Sequence, residues 1–148
     1  MNHIYFNEDF AVDIHDKIIQ ISGGREGIHD ISLLKSVLDF IQDDLYYPSF
    51  EIKLTHLIFS VNKNHAFNDG NKRSSIALGA YFMSVNGYEY AETKFIYEME
   101  NIAVSVADNL ISKDLLLKII SSLLFEVEYS EELKLEIIEA LSNNGEYL

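Results

Sequence analysis

The segment His65-Ala66-Phe67-Asn68-Asp69-Gly70-Asn71-Lys72-Arg73 interrupts an otherwise helical pattern, and its flanks set the fold. Before it, Leu54, Leu57, Ile58 and Val61 recur at helical spacing. After it, Ile76, Ala80 and Met83 do the same as far as Asn86-Gly87, where glycine can take a left-handed cap. The expected local architecture is helix, loop, helix. Further out, Phe10, Ile14, Ile18 and Ile21 form one stripe, and Ile31, Leu34, Val37, Leu38 and Ile41 form another. Helices are also predicted over about Thr93 to Asn109, Lys113 to Phe125 and Glu131 to Ser142. No strand alternation is sustained, so the predicted fold class is all-α.

Two connections stand out. The stretch Ser22 to Asp30, SGGREGIHD, places Gly23, Gly24 and Gly27 where a helix should end and Asp30 or Ser32 where the next is capped. A phosphate cradle is the other reading of such glycines, but no strand precedes them, so a helix-to-helix turn is expected. The stretch Gln42 to Phe50, QDDLYYPSF, holds the only proline and three aromatics, and reads as a loop or short hairpin. No linker divides the chain, so a single domain over residues 1–148 is expected, with a core of about 4–124 and an extra C-terminal helix and tail over 125–148.

The composition excludes several classes. Of 148 residues, 48% are hydrophobic, with one Pro and seven Gly, which is enough apolar material for a full core and rules out disordered or collagen-like chains. The absence of Cys removes disulfide frameworks, thiolate metal sites and thiol nucleophiles. The first residues, MNHIYFNEDF, carry neither a basic n-region nor an apolar h-region, and no apolar run reaches the roughly 18 residues needed to cross a bilayer. A cytoplasmic protein without membrane partners is expected. A formal net charge of −13 opposes general nucleic-acid binding, and any polyphosphate ligand needs a local positive site.

The loop supplies one. Asp69-Gly70-Asn71 is a turn signal at a helix start, so the N–H groups of Gly70 to Arg73 are expected as orphan donors. The helix dipole adds roughly half a positive charge at that end. Lys72 and Arg73 add full charges that the same dipole disfavours, and an anionic ligand relieves the conflict. Asp69 is a hard oxygen ligand, and one carboxylate with phosphate oxygens and waters is the usual way of holding Mg²⁺ at a nucleotide site. A free imidazole titrates near ~6.5, so a histidine such as His65 can accept a proton from an attacking hydroxyl. Phe67 is expected as the buried anchor of the loop. Taken singly these residues read as an ordinary helix start with a solvated histidine; together they point to chemistry. His3, His15, His29 and His56 are scattered without a metal-ligand pattern and read as surface or core histidines.

HAFNDGNKR resembles the Fic/Doc signature, His-x-Phe-x-Asp/Glu-Gly/Ala-Asn-Gly/Lys-Arg, at every defining position. GGREGIHDISLLKSVL is similar to the glycine turn and second helix of Doc-type proteins, and THLIFSVNKN to the helix leading into their loop, so the resemblance spans roughly Ile4 to Leu124. It implies a Fic/Doc-like helical bundle with a helix-loop-helix active site, using ATP and Mg²⁺. It assigns His65 as catalytic base, Phe67 as core anchor, Asp69 as Mg²⁺ ligand, and Gly70, Asn71, Lys72 and Arg73 to the nucleotide phosphates. AMP-transferring members usually have Gly where this chain has Lys72 and a second Arg where it has Ile76. Lys72 and Ile76 resemble the Doc branch, although Doc-type loops often have Ala at the place of Gly70. The Doc resemblance implies transfer of the terminal phosphate of ATP to a hydroxyl of a translation elongation factor, by a toxin paired with an antitoxin protein. Fic-type AMP transfer (AMPylation) to a protein hydroxyl is the alternative, and a catalytically silent binding module a further one.

Two more expectations follow from the resemblance. QDDLYYPSF corresponds in order to the family's target-docking flap, where an extended edge can pair with a substrate segment. Many members are inhibited by a helix bearing Ser/Thr-x-x-x-Glu-Gly/Asn, and Ser142 to Glu146 comes close. Tyr147, the helix-weakening Gly145 and the absence of an arginine at Ile76 argue against that role, which favours an antitoxin in trans. The acidic helix EELKLEIIEAL is expected to pack on the core or to form a dimer seam.

Overall fold

A computed structural model describes residues 2–143. It is all-α: α1 (Glu8–Ser22), α2 (Ile31–Phe40), α3 (Phe50–Asn64), α4 (Asn71–Val85), α5 (Glu92–Ala107), α6 (Lys113–Phe125) and α7 (Glu131–Ser142), with a 3₁₀ turn at Glu89–Ala91. Among the described residues none of these helices is long and apolar enough to cross a membrane. The expected inhibitory segment ends outside the described residues, since Asn144, Gly145, Glu146 and Tyr147 are not among them.

The side chains that start the helices are the capping types physical chemistry favours. Asn7, Asp30, Ser112 and Ser130 each accept a hydrogen bond from a backbone N–H of the first turn that follows. α3 and α4 form the centre. α3 buries Leu54, Leu57, Ile58 and Val61 together with Phe50, Lys53 and Asn62, because it packs against α2, α4, α5 and α6 at once. α1 packs on α4 and α2, so the helices on either side of the signature loop are held from both flanks. α7 lies along α6 and buries Leu133, with Lys118 paired to Glu136 at 2.9 Å. Its outer residues Leu135 and Ile138 are exposed.

Of the two forms expected for the flap, the structure shows the loop and not the hairpin. Gln42 to Ser49 forms successive turns without a strand, and Asp43 accepts from the N–H of Leu45 at 2.9 Å. The extended edge expected for pairing with a substrate segment is not formed, since its main chain is curled on the Asp43 side chain. Lys53, fully buried on α3, ties the flap down by donating to the Ile41 carbonyl at 2.6 Å and to Asp44 at 2.7 Å. Leu45 and Tyr46 remain exposed.

His56 is half-buried on α3 and has two close polar or aromatic neighbours. Lys113 donates to its Nδ1 at 2.7 Å and its ring lies 4.7 Å from that of Tyr47. Burial, with the Lys113 charge in second place, pushes His56 down to about 4. The unfolded chain, where the value is near ~6.5, then binds the proton more readily than the folded one. This contribution is fully present above pH ~6.5 and is lost as the pH falls toward about 4. Denaturation midpoints are expected to fall across that window in the wild type and less steeply in His56→Asn. Equal slopes in the two proteins would remove His56 as the cause.

Candidate active site

The site begins where α3 stops. His65 caps that helix in the left-handed conformation, with φ 55° and ψ 50°, a backbone state that costs a non-glycine residue on the order of 1–3 kcal/mol and clusters at functional sites. The chain therefore reverses within one residue and sends Phe67 into the core at 1% exposure. Asn71, 8% exposed, clips the turn from the other side: its Oδ1 accepts from the Phe67 N–H at 3.2 Å and its Nδ2 donates to the Phe67 carbonyl at 3.0 Å. The Asn71 side chain is thus committed to the loop, and only its main-chain N–H remains for an anion.

The glycine turn is the second wall. Ile28 and Phe67 form an antiparallel bridge, the N–H groups of His29 and Asp30 donate to the Ala66 carbonyl at 2.8 and 3.0 Å, and Asn68 N–H donates to Gly27 at 3.1 Å. The turn thus joins two helices, as expected, and also splints the loop. Gly24 has φ 121°, a conformation that strains any side chain, and a Cβ there would stand 2.8 Å from Asp69 Oδ2 and 2.9 Å from an Arg73 nitrogen, so both groups would have to shift.

Asp69 is held by two main-chain donors, Arg25 N–H to Oδ2 at 2.9 Å and its neighbour Gly70 N–H to Oδ1 at 2.8 Å. The Arg25 bond first, then the Gly70 bond, keep its carboxyl below the usual carboxylate range, and the Arg73 and Arg25 charges add to this. Gly70 N–H is therefore already engaged. The donors left at the start of α4 are those of Asn71, Lys72 and Arg73, one fewer than expected because Asp69 takes that of Gly70, and Ser74 N–H, bonded back to the Gly70 carbonyl, closes the set. Arg73 Nη1 donates to the Gly23 carbonyl at 2.8 Å and Arg25 Nη2 to the Asn68 carbonyl at 2.9 Å.

His15 was not legible as part of this site. It is fully buried and stacks on Phe67, with ring centroids 3.8 Å apart and planes at 4°. Its Nε2 donates to the Asp69 carbonyl at 2.7 Å, which fixes the proton on that nitrogen because a carbonyl only accepts. Asp16, exposed, stands 3.2 Å from Nδ1. His15 is thus a core histidine, one of the two kinds expected, and it also supports the loop from beneath.

These elements enclose a pocket of about 390 Å³ lined by His65, Asp69, Gly70, Asn71, Lys72 and Arg73, with Arg25, Asn62, Asn68 and Ala107 completing it. All the residues assigned from the loop except Phe67 meet there, and Phe67 lies beneath as the anchor. A larger groove of about 580 Å³ beside it, between α1 and the glycine turn, carries Asp16 and Glu26 and no cation, so it does not suit an anion. No group of three or more metal-ligating side chains exists among the described residues. A lone ionised carboxylate fits Mg²⁺ held mainly by phosphates and water, not a metal enclosed by protein.

A sequence model of the Fic/DOC family matches residues 5–83, the region from α1 through the loop to α4. The chain belongs to the Fic/DOC family. Among curated relatives, a protein named "Protein kinase doc" from Escherichia phage P1 is 28% identical over 116 residues, covering 76% of this chain and 87% of the relative. "Toxin Doc" from Mycolicibacterium smegmatis (strain ATCC 700084 / mc(2)155) is 32% identical over 89 residues, covering 57% of this chain and 68% of that one. The Fic/DOC match includes the glycine turn as well as the signature loop, in keeping with the main-chain bonds that join them.

Proposed function

We propose that this Fic/DOC protein is a Doc-like toxin enzyme that transfers the terminal phosphate of ATP to a hydroxyl of a target protein, with a translation elongation factor as the expected target. An antitoxin protein supplied in trans is proposed to restrain it in the cytoplasm. The observation that carries the reading is the meeting of one candidate base, one ionised carboxylate and a set of cations in a single pocket at a helix start. The names of the two relatives, a protein kinase and a toxin, support the same direction.

In this reading Lys72, Arg73 and the free N–H groups at the start of α4 hold the phosphates, and Asp69 would hold Mg²⁺. Mg²⁺ supplies charge neutralisation to the phosphate oxygens when bound. His65 takes the proton of the acceptor hydroxyl as its oxygen bonds to the terminal phosphorus. The bond to the bridging oxygen breaks, and ADP leaves. Positioning and electrostatics supply most of the rate in such a transfer, which is why a loop splinted from both sides suits it.

Gly70 does not favour the AMP-transferring alternative. Its φ of 79° and the Ile19 Cδ1 atom 3.1 Å from a would-be Cβ explain the glycine by backbone and packing alone. Lys72, which lines the pocket, is the residue that supports phosphoryl transfer over AMP transfer. The test is incubation with a cell lysate and ATP labelled in parallel at the α- or the γ-phosphate. Covalent label from the γ-phosphate alone is expected. Label from the α-phosphate would establish AMP transfer instead, and no label from either would favour the silent binding module.

A further inference from the structure

The chain has only two arginines among its 11 cationic residues, Arg25 and Arg73, and both line this one pocket. They come from elements far apart in sequence, the glycine turn and the first turn of α4. In a chain of net charge −13, neither forms an ion pair within 4 Å among the described residues, whereas Lys35, Lys53, Lys118 and Lys134 each find a carboxylate. Arg25 spends one guanidinium N–H on the Asn68 carbonyl, and no other side-chain bond of it is formed among the described residues. A guanidinium carries five N–H donors in a planar fork that matches phosphate geometry. The third residue after Arg73 is the apolar Ile76, so that turn of α4 adds no further cation.

We propose that Arg25 is a phosphate-binding residue of this site, a third cation brought in by the glycine turn to act with Lys72 and Arg73 on the polyphosphate of the nucleotide. The proposal rests on the nucleotide-transfer reading above. Two features position Arg25 for the role. Its own N–H grips the Asp69 carboxylate, so the residue that fixes the candidate metal ligand also carries the guanidinium. The Asn68 carbonyl then anchors that side chain beside the pocket, leaving the remaining donors free for an anion. Because the grip on Asp69 is made by main chain, substituting the side chain leaves it in place, and the two functions are separable by experiment.

The test is calorimetric titration of the full chain with a non-hydrolysable ATP analogue plus Mg²⁺, and with AMP, for the wild type, Arg25→Ala, Arg25→Gln and Arg25→Lys. Removing charge-assisted bonds to phosphate is expected to weaken the triphosphate about ten- to hundredfold in the Ala and Gln variants. AMP binding should weaken much less, Lys should recover part of the loss, and the salt dependence of triphosphate affinity should become shallower. Thermal midpoints near that of the wild type are expected for all three. Equal losses for the triphosphate and AMP, with a lowered midpoint, would make Arg25 a splint for Asn68 and overturn the proposal. Unchanged triphosphate affinity in Arg25→Ala would overturn it while leaving the nucleotide reading intact, and no nucleotide binding by the wild type would overturn both.

Discussion

His65→Ala is expected to lower covalent transfer to the target by about 10²–10⁴-fold, the usual contribution of a positioned general base, while Mg-nucleotide affinity stays within about twofold of the wild type. The separation follows from where the residue sits. His65 lines the pocket but makes no hydrogen bond among the described residues that holds the loop; the splinting is done by Asn71, His15 and the glycine turn. Its side chain is exposed, so truncation opens no cavity. The one structural risk is the left-handed backbone, and His65→Asn controls for it, since asparagine tolerates that conformation and supplies no base of comparable strength. Single-turnover labelling of the target by wild type, Ala and Asn forms checks the prediction. Equal labelling by all three would exclude His65 as the base.

The elements legible in the sequence were those whose causes are local. α6 and α7 have the bounds expected, Lys113–Phe125 and Glu131–Ser142, because Ser112 and Ser130 cap them and apolar periodicity fills them. α5 ends at Ala107, two residues short of expectation, just before Asn109 takes a positive φ of 63°. The signature loop was legible because its chemistry is compressed into nine adjacent residues. What was missed lies far from the loop in sequence: Arg25 and His15 stand 44 and 54 positions from Asp69. No period or spacing joins them to it. Tertiary contacts do so: the bridge between Ile28 and Phe67 with the main-chain bonds around it, and the packing of α1 on α4. A weak signal was available for Arg25, since it is one of just two arginines, and for His15 in its four-residue spacing from Ala11 and Ile19, the residues α1 buries with it.

Phe67→Ala is expected to cost about 3–5 kcal/mol of stability, the range for removing a large aromatic side chain from a packed core. It is also expected to weaken nucleotide binding in molecules that remain folded. The stability loss follows from burial at 1% exposure within the main hydrophobic cluster. The functional loss follows from connectivity. Phe67 carries the stack with His15, His15 carries the bond to the Asp69 carbonyl, and Asn71 grips the Phe67 peptide itself. An alanine leaves those main-chain bonds available but takes away the ring on which the His15 imidazole lies, so the carbonyl that orients Asp69 loses its support. Phe67→Leu refills most of the volume without the flat face, and therefore separates packing from stacking: it should recover most of the stability and less of the affinity. Denaturant unfolding beside nucleotide titration measures both. A stability loss under about 1 kcal/mol for the alanine variant would contradict the anchor role, and parallel recovery of stability and affinity in the leucine variant would show that filling the core, not the His15 stack, is what the site requires.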